Sequence, residues 1–430
     1  MHGSSRFVPL ALLLALPGCY LSYSDLADGA DGGADRTDTP TDRADDGRDA
    51  DVPDGPPPEW RWTDRDIPDR SIPVDLYFAA VPSVAWNGST AGVVYQGREP
   101  GADERINFIP LGARGNPTGI ERTLWAGHGV HSPIPHIVAD GADFLVTFVL
   151  ESGSDRIVLA RVTPAGEVID ALESPFTPGA VEPVVPPVVL DECYLVPYRA
   201  PGDTGERLEV LRVRRGSGFP ESDRFELRLE AEYSGGSFVL APGSNPDVAL
   251  LFYSTADGRI VGEEFTDGLV RTSTPTVTVP AAGPAMDLAA ARADDTYLFA
   301  LASSSAEGLV RLLSWSAARG THRDDLGALF PGGLLAASGG ARPAWGATFA
   351  LVEDDRWRVA AIVAAEPVPG TVTRLAALVD DGVSPRRLDD MPRSGIAWTG
   401  DGFLVVWDEW REAASAYGLY VSYLELHTVP

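Results

Sequence analysis

An all-β chain built from one repeated unit is predicted by three observations. The first is a pair of short apolar runs joined by a turn, which recurs along the chain. Ser83-Val84-Ala85-Trp86 leads to Gly92-Val93-Val94-Tyr95, His136-Ile137-Val138-Ala139 to Phe144-Leu145-Val146, and Phe238-Val239-Leu240-Ala241 to Val248-Ala249-Leu250-Leu251. The second is spacing: anchored on Trp86, Ala139, Leu190, Ala241, Ala291, Ala337 and Trp398, the copies step by 53, 51, 51, 50, 46 and 61 residues. The third is that the copies carry further strand-like segments. Examples are Arg156–Val162, Leu208–Val213 and Tyr417–Leu424, and the first of these runs through a Thr163-Pro164-Ala165-Gly166 turn into a fourth segment around Val168–Ala171. Four short strands per repeat of about 50 residues is the arithmetic of a β-propeller blade. A solenoid would need shorter repeats with an asparagine or leucine ladder, which the chain lacks. The expected fold is a single β-propeller, most simply of seven four-stranded blades, with six or eight as the neighbouring counts.

In chain order, residues 1–18 read as an export signal. Arg6 precedes Phe7–Leu16, an apolar run of ten. That is too short to cross a hydrocarbon core of about 30 Å but suits a signal core. The run ends in Leu16-Pro17-Gly18-Cys19, which resembles the bacterial lipobox: an apolar residue, a small residue, then the Cys that is acylated and becomes the mature N-terminus. The resemblance implies lipidation of Cys19, and Tyr20, as a residue other than Asp, implies sorting to the outer membrane. Each buried acyl CH₂ contributes about 0.8 kcal/mol, so two or more chains anchor firmly.

Residues 19–60 form the lipidated Cys and a tether. Eleven aspartates between Asp25 and Asp54 alternate with Gly, Ala, Thr and Arg. There is little to bury, so the entropy of ordering is not recovered and disorder is expected. Asp49-Ala50-Asp51-Val52-Pro53-Asp54-Gly55 has a loose likeness to Asp-rich calcium loops, but it lacks a bidentate Glu and flanking helices. A solvated spacer is the reading, with calcium as the alternative.

The propeller is expected over residues 70–430. Its clearest copy is the last, Ile396-Ala397-Trp398-Thr399-Gly400-Asp401-Gly402-Phe403-Leu404-Val405-Val406-Trp407. Gly reaches positive φ without a Cβ clash, which makes Thr399–Gly402 a turn. The unbroken β-branched and aromatic run after it suits a strand buried on both faces. Too few residues follow Leu424 to complete that blade, while Val74–Ala79 precedes the first copy without a blade of its own. This N-terminal strand is expected to close the ring, removing the exposed edges that invite aggregation.

The units at Val84–Gly88, Ala397–Trp407 and Thr163–Gly166 resemble repeats of secreted and lipid-anchored proteins of myxobacteria and related deltaproteobacteria. An Asp-rich spacer after the lipidated Cys is typical of them too. The resemblance implies a propeller and carries no activity and no catalytic residues.

Composition and motifs narrow the function. The net charge is −28, with 62 acidic and 34 basic residues. That argues against nucleic acid, which needs a basic face. No Lys is present, so every basic residue is Arg. Cys193 sits in an apolar run and reads as a buried, inert thiol. His128, His131 and His136 cluster in one loop, but Pro133 and Pro135 extend the chain and separate His131 from His136 by about 16 Å. They are read as ligand-contacting loop residues near the channel mouth, not as a metal site. Paired carboxylates at Asp294-Asp295, Asp354-Asp355 and Asp380-Asp381 fall where turns are expected. No Asp box, Gly-x-Ser-x-Gly, Walker A loop or dinucleotide fingerprint is found. Trp398 and Trp407 read as packing residues between blades. The expectation is a monomeric, outer-membrane lipoprotein facing the periplasm or the cell surface. Its propeller is a binding or scaffold module with a protein or glycan ligand and no cofactor. The alternative is a glycan-directed hydrolase or lyase using channel-facing carboxylates.

Overall fold

Strand pairing in the computed structural model follows the repeat. The structure describes residues 59–62, 78–98, 104–127, 135–151, 155–173, 185–202, 205–220, 222–227, 233–243, 245–268, 270, 277–280, 285–293, 296–303, 310–316, 320–325, 334–339, 344–353, 356–368, 371–378, 393–411 and 416–427. These lie within one unit, Gly55–Pro430. Every regular element among them is a β-strand, and the strands form seven four-stranded antiparallel sheets. Sheets 1 to 7 are taken in order of their first, innermost strands: Phe78–Trp86, His136–Asp140, Val188–Val189, Tyr233–Pro242, Ala285–Ala293, Leu334–Gly339 and Ser394–Trp398. Each inner strand touches the next, and the seventh touches the first. The sheets therefore stand around an axis, as a β-propeller.

The apolar core is divided into layers between neighbouring sheets. Val93, Tyr95, Leu404 and Val406 fill the layer between sheets 1 and 7, and Phe108, Ile137, Phe144 and Val146 the layer between sheets 1 and 2. Further layers join sheets 2 and 3, 3 and 4, 4 and 5, and 6 and 7. A middle strand thus meets apolar neighbours on both faces, which is why Val248–Thr255 is buried at every position. Close approach between sheets uses glycine at Gly92. A Cβ there would lie 2.7 Å from Phe108, 2.8 Å from Ile137 and 3.0 Å from Phe144.

The ring is closed by an N-terminal strand, but not by Val74–Ala79. Glu59–Trp62 pairs with Ala416–His427 as the outer strand of sheet 7, with Trp60 opposite Leu426 and Trp62 opposite Leu424. The propeller therefore begins ahead of residue 70. Phe78 and Ala79 open the inner strand of sheet 1 and pair with Arg98 and Gly97, so they belong to that sheet and not to sheet 7. Residues 74–77 lie outside the described residues. The inner strand of sheet 1 is irregular between Ala80 and Ser83, where Val81 sits at φ 55, an unfavourable conformation for a β-branched residue.

Candidate functional site

The inner strands enclose an axial cavity of about 520 Å³, lined by sheets 1, 2, 3, 4, 5 and 7. Each lining strand is the edge of its own sheet and pairs on one side alone. Its other edge turns main-chain N–H and C=O groups toward the axis.

At the turn end, where each inner strand leaves for its partner, one repeat position supplies the larger side chains. Trp86 pairs with Ala91, Arg292 with Tyr297 and Trp398 with Phe403. Ala139 and Val189 hold the same position in sheets 2 and 3. Trp86, Arg292 and Trp398 all line the cavity and are half-buried. The turns are set locally. Gly88 and Gly400 take φ values of 98° and 104°, and the Asn87 side-chain oxygen accepts from the N–H groups of Ser89 and Thr90. Trp86 rests on the layer between sheets 1 and 7, and Trp398 on that between sheets 6 and 7, where it meets Phe403 edge-on at 4.9 Å.

Arg292 is held in place. Its guanidinium donates to the Gly243 carbonyl of sheet 4 and lies over the Tyr297 ring, 5.9 Å from the centroid. The Tyr297 hydroxyl donates to the Pro242 carbonyl at 3.0 Å. Burial pushes the Tyr297 phenol up to about 12.

At the other end, where the chain enters the inner strands, the polar lining is short: Ser83, Ser394 and His136. Ser83 Oγ accepts from the Ile137 N–H at 3.4 Å, and Ser394 Oγ donates to Thr348 Oγ1 at 2.8 Å. His136 is buried. Arg292 and His136 are the only ionisable side chains among the described lining residues, and no Asp or Glu is among them.

A buried ion cluster flanks the turn end between sheets 2 and 3. Asp140 accepts from Tyr194 Oη at 2.6 Å and from Arg215 Nη2 at 2.5 Å, and Arg161 Nε stands 3.4 Å away. Arg161 also reaches Asp170 at 3.3 Å. The Arg215 guanidinium lies 5.6 Å over the Tyr194 ring. Burial, then the hydrogen bond to Asp140, push the Tyr194 phenol up to about 12.

Of the residues singled out in the sequence, His136 lies on the cavity wall, while His128, His131 and Cys19 lie outside the described residues. So do Asp49–Gly55 and the three Asp pairs. Among the described residues no group of three or more His, Cys, Asp or Glu is placed to hold a metal. Cys193 is free and buried, its thiol pushed up to about 11 mainly by desolvation, which fits an inert role. Trp407 is packed as expected, stacked on Tyr420 at 5.8 Å. Trp398 is not packing alone, because it also lines the cavity. The sequence reading missed Trp86, Arg292, Ser83 and Ser394. Aligning the copies on their strand pairing, each residue with a partner five positions on, brings the first two and Trp398 into one column.

No protein-family model and no curated protein matches the chain. Among solved structures it is similar to a subtype N10 neuraminidase-like protein of A/little yellow-shouldered bat/Guatemala/060/2010, at 11% identity over 83% of this chain and 98% of that one, with a TM-score of 0.40. It is also similar to AofleA from Arthrobotrys oligospora (10% identity, 72% and 88% covered, TM-score 0.46). A third is the SapL1 lectin in complex with alpha methyl fucoside (11% identity, 70% and 96% covered, TM-score 0.43). At these identities the likeness is one of fold.

Proposed function

We propose that the chain is a lipid-anchored extracytoplasmic protein whose β-propeller is a binding module, with the axial cavity as its ligand site. The supporting observation is the cavity wall. About 520 Å³ is enclosed by apolar inner strands with a few polar side chains at its two ends. Ligand sites of roughly 300–1,000 Å³ have this character. Lipidation at Cys19, outer-membrane sorting and a solvated tether complete the reading, with one copy of the chain, no nucleic acid and no cofactor. The alternative is a glycan-directed hydrolase or lyase using channel-facing carboxylates.

Two experiments test the reading. Cys19→Ser should release the protein from the membrane fraction and abolish acyl labelling; a variant that stays membrane-bound removes the anchor. For the module, the soluble Cys19→Ser protein is screened against saccharides and peptides by tryptophan emission and melting temperature. Ligands that raise the melting temperature should perturb Trp86 or Trp398. If every ligand found binds equally well when Trp86 is replaced by Phe and Ser83 by bulky Met, the cavity is not the site.

A further inference from the structure

From the cavity wall we infer the class of ligand, an inference that rests on the axial binding reading: an uncharged pyranose sugar, stacked on Trp86 and Trp398 and hydrogen-bonded to the main chain of the inner strands. Two features converge on it.

The first is aromatic. Trp86 and Trp398 hold one register position on inner strands that are neighbours in the ring, and both indoles, half-buried, line the same cavity. Each is braced from behind: Trp86 rests on the layer between sheets 1 and 7, and Trp398 meets Phe403 edge-on. The platform is set before a ligand arrives, so little side-chain entropy is lost on binding. An indole offers an apolar face to the C–H face of a pyranose and a polar N–H to its hydroxyls.

The second is the main chain at that same position. In an antiparallel pair, residues that exchange hydrogen bonds with the partner strand alternate with residues whose N–H and C=O point to the opposite edge. Asn87 N–H donates to the Thr90 carbonyl, Leu190 N–H to Cys193 and Thr399 N–H to Gly402. These bonds fix the phase in sheets 1, 3 and 7. One residue earlier, Trp86, Val189 and Trp398 therefore turn their main-chain groups away from the partner strand. Where a neighbouring side chain reaches groups of this edge, it bonds to them: Ser83 Oγ accepts from Ile137 N–H, and Tyr297 Oη donates to the Pro242 carbonyl. A ligand that strips water from the wall has to do the same, for donors and acceptors alike. A hydroxyl both donates and accepts, whereas a carboxylate accepts only and an ammonium donates only. A hydroxylated ring thus matches the whole edge, an ionised group matches half of it, and a plain aromatic ring matches none. Arg292 is engaged by the Gly243 carbonyl and the Tyr297 ring and has no part in this recognition.

The test is calorimetric titration of the soluble Cys19→Ser full chain with glucose, galactose and mannose, with glucuronate, glucosamine and phenol as comparators and tryptophan emission recorded in parallel. At least one neutral hexose should bind, perturb the emission, and bind more tightly than phenol and no less tightly than glucuronate or glucosamine. Deoxy analogues of that hexose, with one hydroxyl removed at a time, should lose about tenfold in affinity at two or more positions, because main-chain groups are left unmatched. Trp86→Leu should weaken the hexose about tenfold and Trp86→Phe less, since a phenyl face is kept. Melting curves identify any variant that fails to fold, and the deoxy series, which leaves the protein unchanged, then carries the test. Tighter binding of phenol or of a charged sugar, deoxy analogues that all bind equally well, an unaffected Trp86→Leu, or no binding of any neutral hexose each overturns the inference. In the last case a different ligand still sensitive to Trp86 would leave the axial binding reading intact.

Discussion

The two ends of the inner-strand ring join neighbouring sheets by different means. At the turn end, long side chains reach across. Asn87 donates to the Ala142 carbonyl, Tyr297 to Pro242, Arg292 to Gly243, and Tyr194 and Arg215 converge on Asp140. At the entry end, short side chains capture the main chain. Asp408 of sheet 7 accepts from Arg393 N–H at 2.9 Å and from Val81 N–H of sheet 1 at 3.0 Å, and Ser83 accepts from Ile137 N–H. Long polar side chains can bridge sheets and still offer surface to a ligand. A short hydroxyl or carboxylate bound to a backbone N–H is spent on the joint itself. The division places recognition at the turn end and much of the seam between first and last sheets at the entry end.

The comparison breaks most visibly if the ring is opened. Glu59–Trp62 is the outer strand of sheet 7 and comes from the far end of the chain. A chain beginning at residue 63 should melt well below one beginning at residue 20, and limited proteolysis should nick sheet 7 first. Equal melting temperatures would mean that Asp408 and the layer between sheets 1 and 7 close the seam without this strand. Next in size is Asp140→Ala. The Asp140 side chain is 1% exposed and serves Tyr194, Arg215 and Arg161. Its loss takes the carboxylate from Arg215 and the Tyr194 hydroxyl and one of three carboxylates from Arg161, which keeps Asp143 and Asp170, and should cost about 3 kcal/mol in urea unfolding. Asp408→Ala, at the entry end, should cost about 2 kcal/mol, because two backbone N–H groups lose their acceptor. If Asp408→Ala proves the more damaging of the two, the entry end holds the ring more firmly than the ion cluster does.

What the sequence made legible was local. The repeat period, the strand pairs and the turns are properties of neighbouring residues, and the Ile396–Trp407 reading survives in detail: Ser394–Trp398 pairs with Gly402–Arg411, and Phe403–Trp407 is buried throughout. The closing strand was misplaced because its pairing is non-local. Glu59-Trp60-Arg61-Trp62 alternates polar and aromatic residues with the period of a strand, yet nothing near it in sequence names its partner. The site was harder still. Three histidines in one loop attract attention by residue type, whereas Trp86, Arg292 and Trp398 lie in three different copies and share only a register position. Their common cavity follows from ring closure, a property of the whole chain.

The smallest expected effect concerns alkaline pH and again separates the two ends. Tyr194 and Tyr297 lie at the turn end, and both phenols are raised from 10.0 to about 12, chiefly by burial. A raised phenol favours the neutral form in the folded state. The stabilisation is therefore complete below about pH 10, where the unfolded phenols are still protonated. It is lost progressively as pH rises from about 10 toward 12, because the unfolded chain ionises first. The urea midpoint should fall across that interval, and Tyr194→Phe with Tyr297→Phe should flatten the fall although it lowers the midpoint at neutral pH. The lost hydrogen bonds to Asp140 and to the Pro242 carbonyl account for the neutral-pH decrease. Asp408→Ala removes no phenol and should displace the whole curve without changing its alkaline slope. An unchanged slope in the double Tyr variant would assign the alkaline loss to other raised groups, such as Cys193 and Tyr423, and would separate those two tyrosines from it.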